Sequence, residues 1–172
     1  MSIRSEEPGK NTVWLGLGGN VGDVKASLKS ALDMLEARND TEFVRVSPLY
    51  ETPPWGDENQ ANFLNICSEI RTSLAPIELL DVVQHIEREL KRTKTHRWGP
   101  RTIDIDLLVY QAAQCKTERL TLPHPRMTKR CFVLMPLCDI APDLVVQNRS
   151  VADWLAAANC DGVKQIAMVG EW

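Results

Sequence analysis

Apolar and polar positions change period along this chain in a way that marks out its elements. Thr12 to Leu17 is a short apolar run, expected as a central strand. The glycine-rich turn Gly16 to Asp23 follows it. Asp23 is placed to cap a helix whose apolar positions Val24, Leu28, Ala31, Leu32 and Leu35 recur at helical spacing. Phe43 to Tyr50 reads as a second strand. Leu64, Ile66 and Ile70 then alternate with Phe63, Asn65, Cys67 and Glu69, so the first set faces a core and Phe63 and Asn65 share the other face. Ser73-Leu74-Ala75-Pro76 opens a helix with a stripe of Leu79, Val83, Ile86 and Leu90. Ile103, Ile105 and Leu107 alternate with Thr102, Asp104 and Asp106, the period of a half-buried strand.

Beyond it, Tyr110 to Arg119 is a polar connection with its tip expected at Gln111 to Gln114, and an apolar segment begins near Arg130. A short amphipathic helix (Val151, Trp154, Leu155, Ala158) and a final apolar stretch close the chain without a functional signal. The order β, α, β, β, α, β, then hairpin and helices, is the ferredoxin-like β-α-β-β-α-β frame. The expected class is α+β, with an antiparallel-rich sheet and helices on both faces as three α/β/α layers. Residues 1–11 are expected to be a flexible tail and 12–172 a single domain.

Composition narrows the function classes. A hydrophobic content of 44% with 25% charged residues describes a globular protein. The net charge of −3 argues against general nucleic-acid binding. No apolar run approaches membrane length, and the first eleven residues hold no apolar signal core. A cytoplasmic monomer acting on small molecules, with neither nucleic acid nor membrane as partner, is the expectation. The five cysteines show no C-x-x-C spacing, so reduced thiols are expected rather than a zinc site or a disulfide framework.

The chemistry gathers where the last core strand begins. Asp104 and Asp106 project from one strand face, about 7 Å apart along it, and repel each other unless a cation lies between them. A hard divalent ion completed by phosphate oxygens and water would supply that charge. Paired acids alone more often mark a solvated face. Here they follow Lys91, Arg92, Lys94, His96, Arg97 and Arg101, a cationic run suited to the outer phosphates of a substrate. Such a run is expected to close over bound phosphates as a lid. The glycine-rich turn lacks both the dinucleotide fingerprint, which would need glycine at Val21, and a G-K-[ST] Walker ending. Thr52-Pro53-Pro54-Trp55 is a stiff loop, and Phe63 beside Asn65 suits a flat heterocycle with a donor–acceptor edge.

The run Arg97-Trp98-Gly99-Pro100-Arg101-Thr102-Ile103-Asp104-Ile105-Asp106 resembles the signature of the 6-hydroxymethyl-7,8-dihydropterin pyrophosphokinases of folate biosynthesis. The T-P-P loop, the Phe63-Leu64-Asn65 triplet and Leu122-Pro123-His124-Pro125-Arg126-Met127 continue the resemblance, which spans roughly residues 12–146. It implies transfer of pyrophosphate from ATP to the pterin hydroxymethyl group, with two Mg²⁺ on Asp104 and Asp106 and with Arg92 and Arg101 catalytic beside them. It implies ATP contacts at Gln84, Glu87, Lys94, Arg97, Trp98, Arg101, Arg119, Thr121, His124 and Arg130. It implies a pterin pocket of Thr52, Pro53, Pro54, Trp55, Phe63, Asn65, Trp98 and Phe132, with Asn20 helping to hold the site near the acids. Read from spacing alone, Gln84 and Glu87 belong to a solvated helix face.

The chain departs from the family pattern at Gly19, where serine is usual, at Phe63, where tyrosine is frequent, and at Lys91-Arg92-Thr93-Lys94, where G-R-x-R is expected. Lysine lacks the bidentate fork of arginine. Two other classes share parts of this pattern. A ferredoxin-like RNA-binding module would display strand aromatics, which are absent here in the required arrangement. A metal-dependent phosphohydrolase would need a positioned water in place of the heterocycle slot.

Overall fold

The computed structural model describes residues 9–54, 56–90, 102–111 and 113–172. The elements are β1 (Asn11–Gly19), α1 (Val24–Glu36), β2 (Thr41–Val46), β3 (Leu49–Thr52), β4 (Phe63–Thr72), α2 (Pro76–Glu89), β5 (Asp104–Tyr110), β6 (Cys115–Lys116), β7 (Thr121–Leu122), α3 (Cys131–Ile140), β8 (Val145–Val146), β9 (Arg149–Ser150), α4 (Val151–Ala156) and β10 (Lys164–Ala167). The main sheet runs β10-β3-β4-β1-β5, with β2 also paired to β4, and each of its ladders is antiparallel. β4 is inserted between β1 and the β2–β3 edge, which is the split arrangement of a ferredoxin-like frame. The expected α+β class holds.

Both sheet faces are covered, which is why β4 is buried along most of its length. Leu15, Leu17, Ile66, Ile70, Ile105 and Leu107 pack with Leu28, Leu35, Leu79 and Val83 of α1 and α2. On the other face Trp14, Cys67 and Leu108 pack with Val133, Leu134 and Leu137 of α3. The cap on α1 is as expected, Asp23 accepting from the Ala26 N–H at 3.1 Å, and Pro76 opens α2.

Three expectations are corrected. Phe43 to Tyr50 is not one strand. Pro48 has no N–H for a ladder, and the chain breaks there into β2 and β3, both on β4. Ser47 bridges the break, its N–H donating to Cys67 O and its Oγ accepting from Cys67 N–H, each at 2.9 Å. The polar connection turns back elsewhere too. Ala113 N–H returns to Tyr110 O, while the hairpin tip lies at Thr117 to Leu120, closed by Thr117 N–H on Leu120 O. Finally, the cysteines are not all reduced. Cys131 and Cys160 form a disulfide across 29 residues, a separation that no local motif signals. The final apolar stretch is the edge strand β10 on β3. None of the described helices is long and apolar enough to cross a membrane.

Candidate active site

Cross-strand register builds the site. Gly18 pairs with Asn65 on β4 and with Asp104 on β5, and Tyr50 on β3 pairs with Asn65. One row, Tyr50–Asn65–Gly18–Asp104, therefore crosses the sheet, because directly paired residues project from the same face. The next row is Cys67–Gly16–Asp106. The acids thus share the α3 face with Phe63 and Asn65. The strand positions between them carry no side chain. A Cβ on Gly18 would lie 2.4 Å from Asn65 Oδ1, so only glycine admits that amide. The Asn65 Nδ2 donates to Thr52 Oγ1 at 3.0 Å, and both residues are buried. This bond fixes which edge of the amide points outward.

The first turn of α3 closes the acid end. Arg130 Nη1 stands 3.9 Å from Asp106 Oδ2, and its guanidinium lies 5.5 Å from the Phe132 ring centroid. The cation absent from the diacid strand is thus delivered by a helix start. Tyr50 ties the same helix to β3 by donating its hydroxyl to Asp139 Oδ2. Burial, then that carboxylate, raises the phenol above its ordinary range. Burial likewise pushes the Cys67 thiol up, so it is no nucleophile.

His124 follows β7, its N–H bonded to Leu108 O at 2.7 Å. Its Nδ1 accepts from Arg126 N–H at 3.1 Å. The proton of the neutral ring then belongs on Nε2, leaving one ring donor. Burial, followed by Arg130 and Arg126, pushes the imidazole down to about 4. His124 is therefore neutral at ordinary pH.

Arg119, expected at the nucleotide, donates to Asp81 Oδ1 and to Gln84 Oε1, the latter at 3.5 Å, which brings the β6–β7 hairpin against α2. Thr121 lies on β7 in that hairpin. Glu87 is not on a solvated face. It is 5% exposed, and its Oε1 accepts from Ile105 N–H at 2.8 Å. That amide sits on the strand that ends the described sheet and faces away from β1. Sequence spacing put Glu87 beside Gln84 but had no means of showing an edge strand within its reach. Asn20 donates to Gln60 Oε1 and Ala61 O, each at 2.9 Å, and so holds the loop before β4.

Trp55 and the basic residues Arg92, Lys94, Arg97 and Arg101, with Trp98, lie outside the described residues, as does the expected lid. Gly18, the Tyr50–Asp139 pair and the Cys131–Cys160 bond were not found by sequence reading. The glycine-rich run drew attention as a turn, whereas Gly16 and Gly18 work inside the strand.

Residues 14–142 match the family model described as 7,8-dihydro-6-hydroxymethylpterin-pyrophosphokinase (HPPK). The chain belongs to this family. A 2-amino-4-hydroxy-6-hydroxymethyldihydropteridine pyrophosphokinase of Methylorubrum extorquens is 46% identical over 153 residues, 89% of this chain and 97% of that relative. The enzyme of the same name from Bacillus subtilis is 48% identical over 130 residues, 76% and 78% of the two chains. Among solved structures, wild-type Plasmodium falciparum HPPK-DHPS with pteroate superposes with a TM-score of 0.69 at 16% identity. That match covers 88% of this chain and 43% of the Plasmodium chain and concerns the fold alone. The family's pyrophosphokinase name agrees with a face that sets paired acids in the same rows as Asn65 and two glycines.

Proposed function

We propose that this chain transfers the pyrophosphoryl group of ATP to the hydroxymethyl oxygen of 6-hydroxymethyl-7,8-dihydropterin, a step of folate biosynthesis. The hydroxyl oxygen forms a bond to the β-phosphorus, and the bond from that phosphorus to the α–β bridging oxygen breaks. The products are AMP and the pterin diphosphate. The observation that carries the reading is the shared row Asn65–Gly18–Asp104, which sets a heterocycle-reading amide and a metal-type carboxylate on one face.

The donor set fits Mg²⁺. Asp104 and Asp106 offer hard oxygens over a glycine-floored face. Among the described residues no three or more His, Cys, Asp or Glu side chains cluster as a closed metal cage. An ion held there would take its remaining ligands from phosphate and water, the habit of Mg²⁺ at nucleotide sites. Asp104 and Asp106 are assigned to hold two such ions, which would supply Lewis-acid neutralisation of the phosphates.

The chain's own groups do the positioning. Phe63 and Phe132 are assigned as the walls of the pterin, with Thr52 and Asn65 reading its polar edge and Pro53 and Pro54 stiffening the loop beside it. Arg130, at the start of α3, and the Nε2–H of His124, after β7, are assigned to the phosphates. Gln84, Glu87, Arg119 and Thr121 are assigned to the nucleoside end, with Glu87 acting through Ile105 as it orders the start of β5. On sequence grounds the run from Lys91 to Arg101 takes the outer phosphates. Phosphoryl-type transfer depends mainly on alignment and charge neutralisation, which these residues serve.

Incubation with ATP, Mg²⁺ and 6-hydroxymethyl-7,8-dihydropterin tests the reading. AMP should appear in step with the pterin diphosphate and should require the pterin. Nucleotide breakdown at the same rate without pterin would overturn it in favour of a hydrolase.

A further inference from the structure

The closing segment of the chain carries no motif, yet three alternate residues in it grip three parts of the site. Cys160 is bonded to Cys131, which stands between Arg130 and Phe132 in the first turn of α3. Gly162 passes so close to Pro53 that an added Cβ would lie 3.1 Å from Pro53 Cγ, and its φ of +86° is one that L side chains rarely adopt. Lys164 pairs with Glu51, one residue before Thr52. The spacing of 160, 162 and 164 thus joins the helix turn that bears Phe132 to the strand end and loop that bear Thr52 and Pro53. These two pieces lie far apart in the chain, and the Tyr50–Asp139 bond, which also ties β3 to α3, holds the far end of that helix rather than the turn that bears Phe132.

We infer that Cys160 to Lys164 is a clamp that sets the spacing of the pterin slot, with Gly162 and the Cys131–Cys160 bond as its positioning elements. The inference rests on the reading of Pro53 and Phe132 as parts of that slot. Cross-linking restricts the freedom of the joined segments, so the slot's two sides are held in register before the heterocycle arrives. Preorganisation of this kind raises affinity by lowering the ordering cost of binding. The nucleotide side, built on α2 and the β6–β7 hairpin, does not touch the clamp through any of these three contacts. Of the groups assigned to ATP only Arg130 shares the clamped turn, so pterin affinity should depend on the clamp far more than ATP affinity does.

Both cysteines are half-buried rather than fully enclosed, so a small dithiol can reach the bond. Its thiolate attacks one sulfur to give a mixed disulfide, and its second thiol closes on that intermediate. Cys131 and Cys160 are released as thiols, and the dithiol is oxidised to a cyclic disulfide. The slot thereby becomes sensitive to thiol redox state while the acids on β5 and the contacts on α2 and the β6–β7 hairpin stay as they are.

The test measures pterin and a non-hydrolysable ATP analogue with Mg²⁺ by calorimetry. The samples are oxidised wild type, wild type treated with dithiothreitol, Cys160→Ser and Gly162→Ala, each shown by circular dichroism to be folded at the working temperature. Gly162→Ala leaves both sulfurs in place and presses on Pro53 instead. Pterin affinity should fall about tenfold in all three perturbed samples, the scale of losing the preordering of one or two side chains. Affinity for the ATP analogue should stay within about twofold, and AMP release should recover as pterin is raised, KM moving more than kcat. Equal weakening of both ligands would reduce the segment to general stabilisation and overturn the inference. So would unchanged pterin affinity in the perturbed samples, or alkylation of Cys131 and Cys160 without prior reduction. Oxidised wild type that binds no pterin would instead bring down the reading of the site, and the clamp with it.

Discussion

Asp104 and Asn65 lie opposite the same glycine. Gly18 pairs with Asp104 on one side and with Asn65 on the other, so the backbones that bear a carboxylate and an amide stand about 9–10 Å apart across two strand spacings. Nothing grows from the strand between them. A substrate with a flat polar end and a phosphate-bearing end would span that gap.

Filling the gap should be damaging. Gly18→Ala places a Cβ 2.4 Å from Asn65 Oδ1 and 3.1 Å from the Leu64 carbonyl, and the latter is backbone with little room to give. A stability loss of about 1–3 kcal/mol is expected from overpacking. Pterin binding should weaken further, because Asn65 must leave its bond to Thr52. Urea melts and a pterin titration of the same preparation read both effects.

Asp106→Asn should lower turnover by about 10²–10³-fold, the scale seen when one group that stabilises transition-state charge is removed. The fold should persist, since the side chain is 37% exposed and the Arg130 guanidinium stands 3.9 Å away. AMP release at saturating substrates, beside a thermal melt, checks this. Full turnover at ordinary Mg²⁺ would remove Asp106 from the metal site.

Phe132 is assigned as one wall of the heterocycle slot. Phe132→Ala should cost pterin binding about 1–3 kcal/mol, the range for losing one aromatic stacking partner. The ATP analogue should be affected far less. Calorimetry with each ligand separates a wall from mere packing, because a packing role would weaken both.

Glu87 offers a contrast between a ligand contact and an architectural one. Glu87→Ala removes the acceptor for Ile105 N–H and should cost about 1–3 kcal/mol of stability, as expected for a buried donor left unsatisfied. Glu87→Gln keeps an oxygen there and should cost less. Denaturant melts rank the two. If both variants melt like wild type, the bond to Ile105 carries no weight.

His124 makes stability pH-dependent with a definite sign. Its folded-state pKa is pushed down to about 4 from the ordinary 6.5. Between those values the unfolded chain binds more protons than the folded one, so stability falls as pH drops through this window and levels off below it. Without nucleotide, the wild type should lose more melting temperature than His124→Gln between pH 7 and pH 4. Parallel curves would mean that the imidazole titrates normally.

The alternation at Ile103, Ile105 and Leu107 was enough to place Asp104 and Asp106 on one face, because side-chain direction in a strand is a local property of period two. The stripes of α1 and α2, the Asp23 cap and Pro76 at a helix start were legible for the same reason: each depends on residues within a turn or two. The family resemblance added the substrates that spacing alone leaves open. Only the tertiary structure decided what stands beside the acids. Register put Gly18 between Asp104 and Asn65, a helix start brought Arg130 to Asp106, and an edge-strand amide claimed Glu87. The Cys131–Cys160 bond and the approach of Gly162 to Pro53 belong to the same class. Each joins segments far apart in the chain, and such pairings are selected by the packing of whole layers, a property that no short window of sequence contains.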